Sequence, residues 1–191
     1  DITEAKLAQQ RIERLAYTDN LTNLGNRPAF IRNLDERFAR NSNTPVCLLL
    51  VDIDNFKRIN DSLGHQTGDK LLISLARRLR NSLSASDGLA RFASNEFAVL
   101  LDDTDLTTGQ QIASQLLMTL DKPMFVDNQL ISVTGSVGVA CAPLHGRDPQ
   151  TLMRNAGLAL HKAKACGKHQ VQVFTEALNA EASYKLFVEN N

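Results

Sequence analysis

The chain has 191 residues, enough for one well-cored domain plus extra helical segments. Hydrophobic residues make up 43% and charged residues 22%, an ordinary balance for a globular protein rather than a disordered or fibrous one. Basic and acidic residues number 21 each, and the resulting zero net charge argues against a broad nucleic-acid surface.

Residues 1–18 are predicted to be helical, with Ala5, Ala8, Ile12 and Leu15 forming a short heptad-like seam on an otherwise polar helix. Such a helix either packs on its own domain or, as the seam favours, acts as a coiled-coil connector. The stretch from Asp19 to Arg27 is a turn rich in side chains that bond their own backbone, anchored by Leu21 and Leu24. Pro28 suits a first helical position, and Phe30, Leu34 and Phe38 give that helix a buried stripe.

A continuously apolar strand from Val46 ends abruptly at Asp52 and Asp54. The polar segment Asn60–Asp69 reads as a loop, with a helix from about Lys70 to Ser82 after it. Leu71, Leu75, Leu79 and Leu83 form the inner face of that helix, with Arg77, Arg78 and Arg80 on a solvated one. Leu89–Leu101 reads as a hairpin presenting Ala93, Ser94, Asn95 and Glu96 at its turn. A strand-tip carboxylate facing a hairpin carboxylate suggests a divalent-metal site.

Ile112, Leu116 and Leu120 mark a further helix, and Leu130–Val139 reads as one strand with close backbone neighbours. Asp148-Pro149 supplies an N-cap and first-turn proline for a helix that ends near Cys166-Gly167. Val171–Phe174 is a last short strand, and 175–191 is a polar, helix-prone tail. The alternation gives an α/β (α+β) sheet covered by helices.

Cys47, Cys141 and Cys166 are odd in number and far apart, so reduced thiols are expected rather than a disulfide or zinc site. His65, His145, His161 and His169 form no cluster at ligand spacing and are read as structural. No membrane-spanning apolar run or secretory leader is present, so a cytoplasmic fragment without membrane contact is expected, with a tether elsewhere in a longer chain left open.

From Asp19 to Phe174 these motifs resemble, in order, a GGDEF domain, the family that joins two GTP into cyclic di-GMP in bacterial signal transduction. The resemblance implies a palm-like nucleotidyl-cyclase fold with a mostly antiparallel central sheet, and divides the chain into a connector helix at 1–18, the domain at 19–174 and a linker helix at 175–191. It implies that Asp52, the Ile53 carbonyl and Glu96 hold magnesium, and that Asn60 and Asp69 read guanine. The Asn55-Phe56-Lys57 backbone, with Lys164 and Lys168, would receive phosphate.

The departures are concentrated in the motif that names the family, which here is Ala93-Ser94-Asn95-Glu96-Phe97. Ala93 and Ser94 replace glycines, at a cost of about 1 kcal/mol each if left-handed torsions are required there. Asn95 replaces an acidic metal ligand with an uncharged amide that accepts no proton. Gly157 and His161 replace an aspartate and a tyrosine. The product-inhibition motif survives only as Ser84 and Asp87, its arginine gone.

The expectation is therefore a degenerate, catalytically silent domain that binds GTP, with weak magnesium binding at most. It would act as a regulatory module between PAS and EAL domains, tuning an EAL cyclic di-GMP phosphodiesterase and able to pair as a homodimer. A structural or dimerisation spacer and a residual diguanylate cyclase are the competing readings.

Overall fold

The computed structural model describes residues 1–40 and 43–190, with 184–190 as helical backbone only. In chain order the elements are α1 (Ile2–Tyr17), α2 (Arg27–Ala39), β1 (Val46–Ile53), α3 (Phe56–Leu63), α4 (His65–Ser82), β2 (Gly88–Ala93) and β3 (Glu96–Asp102). They continue with α5 (Leu106–Leu120), β4 (Met124–Val126), β5 (Gln129–Ile131), β6 (Gly135–Ala142), α6 (Pro149–Ala165), β7 (Val171–Val173) and α7 (Glu176–Asn190).

All eight residues of β1 are buried, as its unbroken apolar run requires. It forms the middle of a sheet ordered β2-β3-β1-β6-β7, antiparallel except for the β6–β7 edge. Side-chain alternation along β1 separates two cores. Leu49, Val51 and Ile53 pack with Leu71, Leu75 and Leu79 of α4 and Leu116 and Leu120 of α5. Leu48 and Leu50 pack with Phe30 and Leu34 of α2 and Leu152, Ala156 and Leu160 of α6. The same alternation turns Asp52 toward the α6 face, where a polar partner is available.

Local signals fix the helix starts. Asn26, Asp105 and Asp148 accept from the backbone N–H groups of Ala29, Thr108 and Thr151, which satisfies one first-turn donor in each helix.

Several expectations are corrected. The polar segment Asn60–Asp69 is helical: α3 runs to Leu63, α4 starts at His65, and Gly64 alone breaks them with φ of 90°. Phe56 and Gly68 turn inward, with Asn60 packed against Gly68, while Asp61, Ser62, His65, Gln66 and Asp69 are exposed, so composition there masks an amphipathic pair. Leu130–Val139 is two strands. Asp127 and Asn128, with φ of 51° and 64°, turn β4 into β5 as a separate hairpin. Thr134 is then diverted to Asp54, accepting its N–H at 2.9 Å and donating its hydroxyl at 2.7 Å.

Cys47 and Cys141 are joined in a disulfide rather than lying as reduced thiols. Pairing of β1 with β6 sets them directly opposite, with Cα atoms 4.1 Å apart, although 94 residues separate them in sequence. Cys166 is free and exposed. Arg78 and Arg80 do not form a solvated face. Arg78 donates to the carbonyl of Thr119 in the last turn of α5 and to those of Lys122 and Pro123 beyond it, and Arg80 to those of Ser84 and Asp87.

No residue of α1 is buried, and Leu7, Ile12 and Leu15 are all more than half exposed, so the helix is not packed on this domain by its apolar seam. Among the described residues, no helix is long and apolar enough to cross a membrane.

Candidate nucleotide and metal site

Four segments converge at the C-terminal end of β1. The strand delivers Asp52 and Ile53, the start of α3 delivers Asn55 to Lys57, the β2–β3 tip delivers Asn95, and the end of α6 delivers Lys164 and Lys168. Together they line a cavity of about 440 Å³. Nine of the residues singled out in the sequence thus meet in one place, although Asp52 and Lys164 are 112 residues apart.

The contacts around Asp52 define the chemistry. The Asn95 side-chain nitrogen donates to Asp52 Oδ1 and to the Ile53 carbonyl, each at 3.1 Å. A carbonyl can only accept, so the amide must turn its nitrogen, not its oxygen, toward them. Lys164 Nζ holds the other carboxylate oxygen at 3.0 Å. Burial raises the Asp52 pKa above the ordinary carboxylate value, with the Lys164 ammonium pulling against it. Glu96, directly across the β1–β3 ladder, is raised by burial and then by the neighbouring Asp52 charge. Glu96 does not line the cavity.

Asp54 plays a different part. Its carboxylate accepts from the hydroxyls of Thr134 and Ser136, both at 2.7 Å, and from the His169 N–H at 3.1 Å. Three donors lock it into the fold, tying the end of β1 to the start of β6 and to the α6–β7 turn.

Asn55 adopts a left-handed φ of 58°, a conformation asparagine tolerates better than most residues. Its side chain does not cap α3; its Oδ1 instead accepts from Lys168 Nζ at 2.9 Å. The first-turn N–H groups of α3 are left without a side-chain cap, an arrangement suited to anionic oxygens.

Asn60 and Asp69 stand apart from the cavity, at the α3–α4 junction. Asn60 lies against Gly68, where an added Cβ would fall 1.8 Å from its Oδ1, and among the described residues this buried oxygen has no hydrogen-bond partner. Asp69 is exposed on α4. Ser84 and Asp87 form a tight turn in which the Asp87 carboxylate accepts from the Ser84 N–H at 3.0 Å.

At the hairpin tip, Ala93, Ser94 and Asn95 do not adopt left-handed φ, so the torsional cost considered for non-glycine residues does not arise. Sequence reasoning missed what braces this tip. Arg91 donates to both Asp19 oxygens, at 3.1 and 3.3 Å, and to the Ser94 carbonyl at 3.0 and 3.2 Å. It thereby ties the turn after α1 to the segment bearing Asn95. Arg58 and Asp61 also line the cavity and were missed. Their spacing of three on a helix would have found them, had α3 been recognised.

The diguanylate cyclase GGDEF-domain family model matches residues 16–170, and the chain belongs to that family. It is 39% identical over 186 residues to the cyclic di-GMP phosphodiesterase NbdA of Pseudomonas aeruginosa, covering 95% of this chain and 24% of that protein. The structure of an N-terminally truncated TpbB (YfiN) from the same species, comprising only its GGDEF domain, superposes with a TM-score of 0.83 at 31% identity, covering 87% of this chain and 99% of that one. The coiled coil and GGDEF domain of DgcB from Caulobacter crescentus, solved with cyclic di-GMP, gives a TM-score of 0.83 at 26% identity, over 90% and 93% of the two chains. The chain spans about a quarter of the length of the curated relatives it matches.

The residues present do not fit the magnesium expected by resemblance. Two oxygens that would ligate it, Asp52 Oδ1 and the Ile53 carbonyl, already accept from one amide nitrogen, and the remaining Asp52 oxygen accepts from an ammonium. Among the described residues, no group of three or more His, Cys, Asp or Glu side chains is placed to hold a metal ion.

Proposed function

We propose that this chain is a catalytically silent GGDEF domain that binds GTP as a regulatory signal and tunes an EAL phosphodiesterase domain elsewhere in a longer protein. One observation carries the reading: the Asn95 amide donates to the very oxygens that a catalytic cation would require. Phosphoryl transfer depends on metal stabilisation worth several kcal/mol, and a neutral donor in that place supplies none of it.

Nucleotide binding has separate support. The uncapped first turn of α3, with Lys57 and Lys168, would hold phosphate oxygens, and Asn60 and Asp69 would read the guanine edge. The unpartnered Asn60 oxygen is an acceptor in want of a donor, which a guanine N–H supplies once the amide turns outward. Coupling to a phosphodiesterase is supported by the activity named for NbdA and by the small share of that protein matched here.

The exposed seam of α1 favours a further role in joining two copies or relaying from an upstream PAS-like domain, with α7 as the connection to a downstream domain. Incubation with GTP and magnesium, then chromatography of the products, tests the silent-enzyme reading. No cyclic di-GMP is expected, and formation dependent on Asp52 would overturn it. In the longer protein, GTP should alter the rate of cyclic di-GMP hydrolysis, and an unchanged rate at saturating GTP would remove the regulatory claim.

A further inference from the structure

Asn95 does more than delete a charge: its nitrogen stands between Asp52 Oδ1 and the Ile53 carbonyl as a donor, while Lys164 holds Asp52 Oδ2. We infer that Asn95 and Lys164 are an internal substitute for the divalent cation, so that the pocket excludes magnesium and receives phosphate oxygens without it. For its ligand this rests on the GTP-binding reading; for the exclusion of metal it does not.

Three observations converge. First, a magnesium ion must approach its oxygens to about 2.0–2.1 Å. Reaching both Asp52 Oδ1 and the Ile53 carbonyl requires the Asn95 amide to leave and two hydrogen bonds to break. Turning the amide to offer its oxygen would restore one neutral ligand but no charge.

Second, the charge balance has moved. Lys57, Arg58, Lys164 and Lys168 line the cavity against three carboxylates, Asp52, Asp54 and Asp61. Asp54 is fully engaged by Thr134, Ser136 and His169. An acidic residue at 95 would bring the lining to four of each sign and cancel the cationic excess. With asparagine the lining is net cationic and attracts a polyphosphate by itself.

Third, donors suited to phosphate are weakly committed. Among the described residues, the one hydrogen bond of the Lys168 ammonium goes to the neutral Asn55 oxygen, and the α3 first turn has no side-chain cap. A phosphate oxygen is a stronger acceptor than an amide oxygen and would displace it.

Two measurements on the purified protein test this. Electron paramagnetic resonance of Mn²⁺ reads metal binding with no nucleotide present. The signal should remain that of the free ion for the native protein and be quenched for Asn95→Asp. Calorimetry with GTP, in EDTA and in millimolar magnesium, should give native affinities agreeing within about twofold, whereas Asn95→Asp should gain about tenfold or more on adding magnesium. Mn²⁺ bound by the native protein and lost in Asp52→Asn overturns the exclusion of metal. GTP binding that requires magnesium overturns the inference while leaving the GTP-sensing reading intact. Absence of GTP binding in both conditions overturns the phosphate half of the inference and the sensing reading together.

Discussion

At each end of β1 a carboxylate pairs with a cation from another element, Asp102 on the facing strand β3 and Asp52 on β1 itself, and the pairs are opposite in exposure. Near Val46, the Arg37 side chain is 8% exposed and its partner Asp102 is 48% exposed. Near Ile53, Asp52 is 8% exposed and Lys164 is 42% exposed. Arg37 distributes its fork over Asp102, the Thr44 carbonyl and the Thr44 hydroxyl, so the buried cation is satisfied and the carboxylate remains wet. Its hydrogen bond holds the Asp102 pKa below the ordinary carboxylate value. At the other end burial prevails and raises Asp52. A buried guanidinium held by three hydrogen bonds works as a latch; a buried carboxylate held by one amide and one wet lysine is a site under tension.

Breaking the scaffold shared by both ends has the largest expected effect. A Cβ at Gly138 would lie 2.3 Å from the Leu160 nitrogen and 2.4 Å from the Ala156 oxygen, so α6 would have to move off the sheet. Gly138→Ala should cost about 3 kcal/mol in chemical denaturation. It should also weaken GTP binding, because Lys164 and Lys168 travel with α6. A near-native unfolding midpoint would contradict that packing.

Removing the latch comes next. Arg37→Ala loses three hydrogen bonds and should destabilise by about 2 kcal/mol, with the wet Asp102 left at little penalty. GTP affinity should be unaffected, and a change in it would break the separation of the two ends.

Lys164→Met should cost only about 1 kcal/mol near neutral pH, since solvent reaches the lysine and screens the pair. The sign with pH is distinctive. Asp52 binds its proton more readily folded than unfolded, so its charged form destabilises the fold above its raised pKa. Without Lys164 that penalty grows, and the loss of stability should shrink as pH falls and Asp52 protonates. A loss independent of pH would show that the lysine acts by packing alone.

The smallest change has the opposite sign. Glu96 is also raised, so its ionised form lowers stability once pH exceeds both its unfolded and folded values. Glu96→Gln should raise the thermal midpoint by roughly 2–4 °C near neutral pH, as about 1 kcal/mol does for a domain of this size. The gain should vanish below the ordinary glutamate pKa; its persistence there would implicate something other than charge.

Much of this was legible in the sequence because it is local or motif-borne. The apolar run of β1 and the cap at Asp148 came from adjacent residue types, and the convergence of Asp52, Asn55 and Lys164 from the family resemblance. What escaped depends on pairing at a distance. The Cys47–Cys141 bond needs the β1–β6 register, and the Asp19–Arg91 brace needs the hairpin folded back on the turn after α1. The segment 60–69 was lost to its polar composition, although Gly68 packing against Asn60 and Phe56 reveals its helical geometry at once. At position 95 the sequence declares a lost charge; only the fold reveals that the same side chain has become a donor.

The most direct check on that point is nuclear magnetic resonance of the Asn95 side-chain amide in ¹⁵N-labelled protein during a magnesium titration. Both amide protons should resonate as hydrogen-bonded groups, slow to exchange, and hold their positions to saturating magnesium. Progressive movement of those signals, with loss of their protection as the ion is added, would mean that the amide yields its place to the cation.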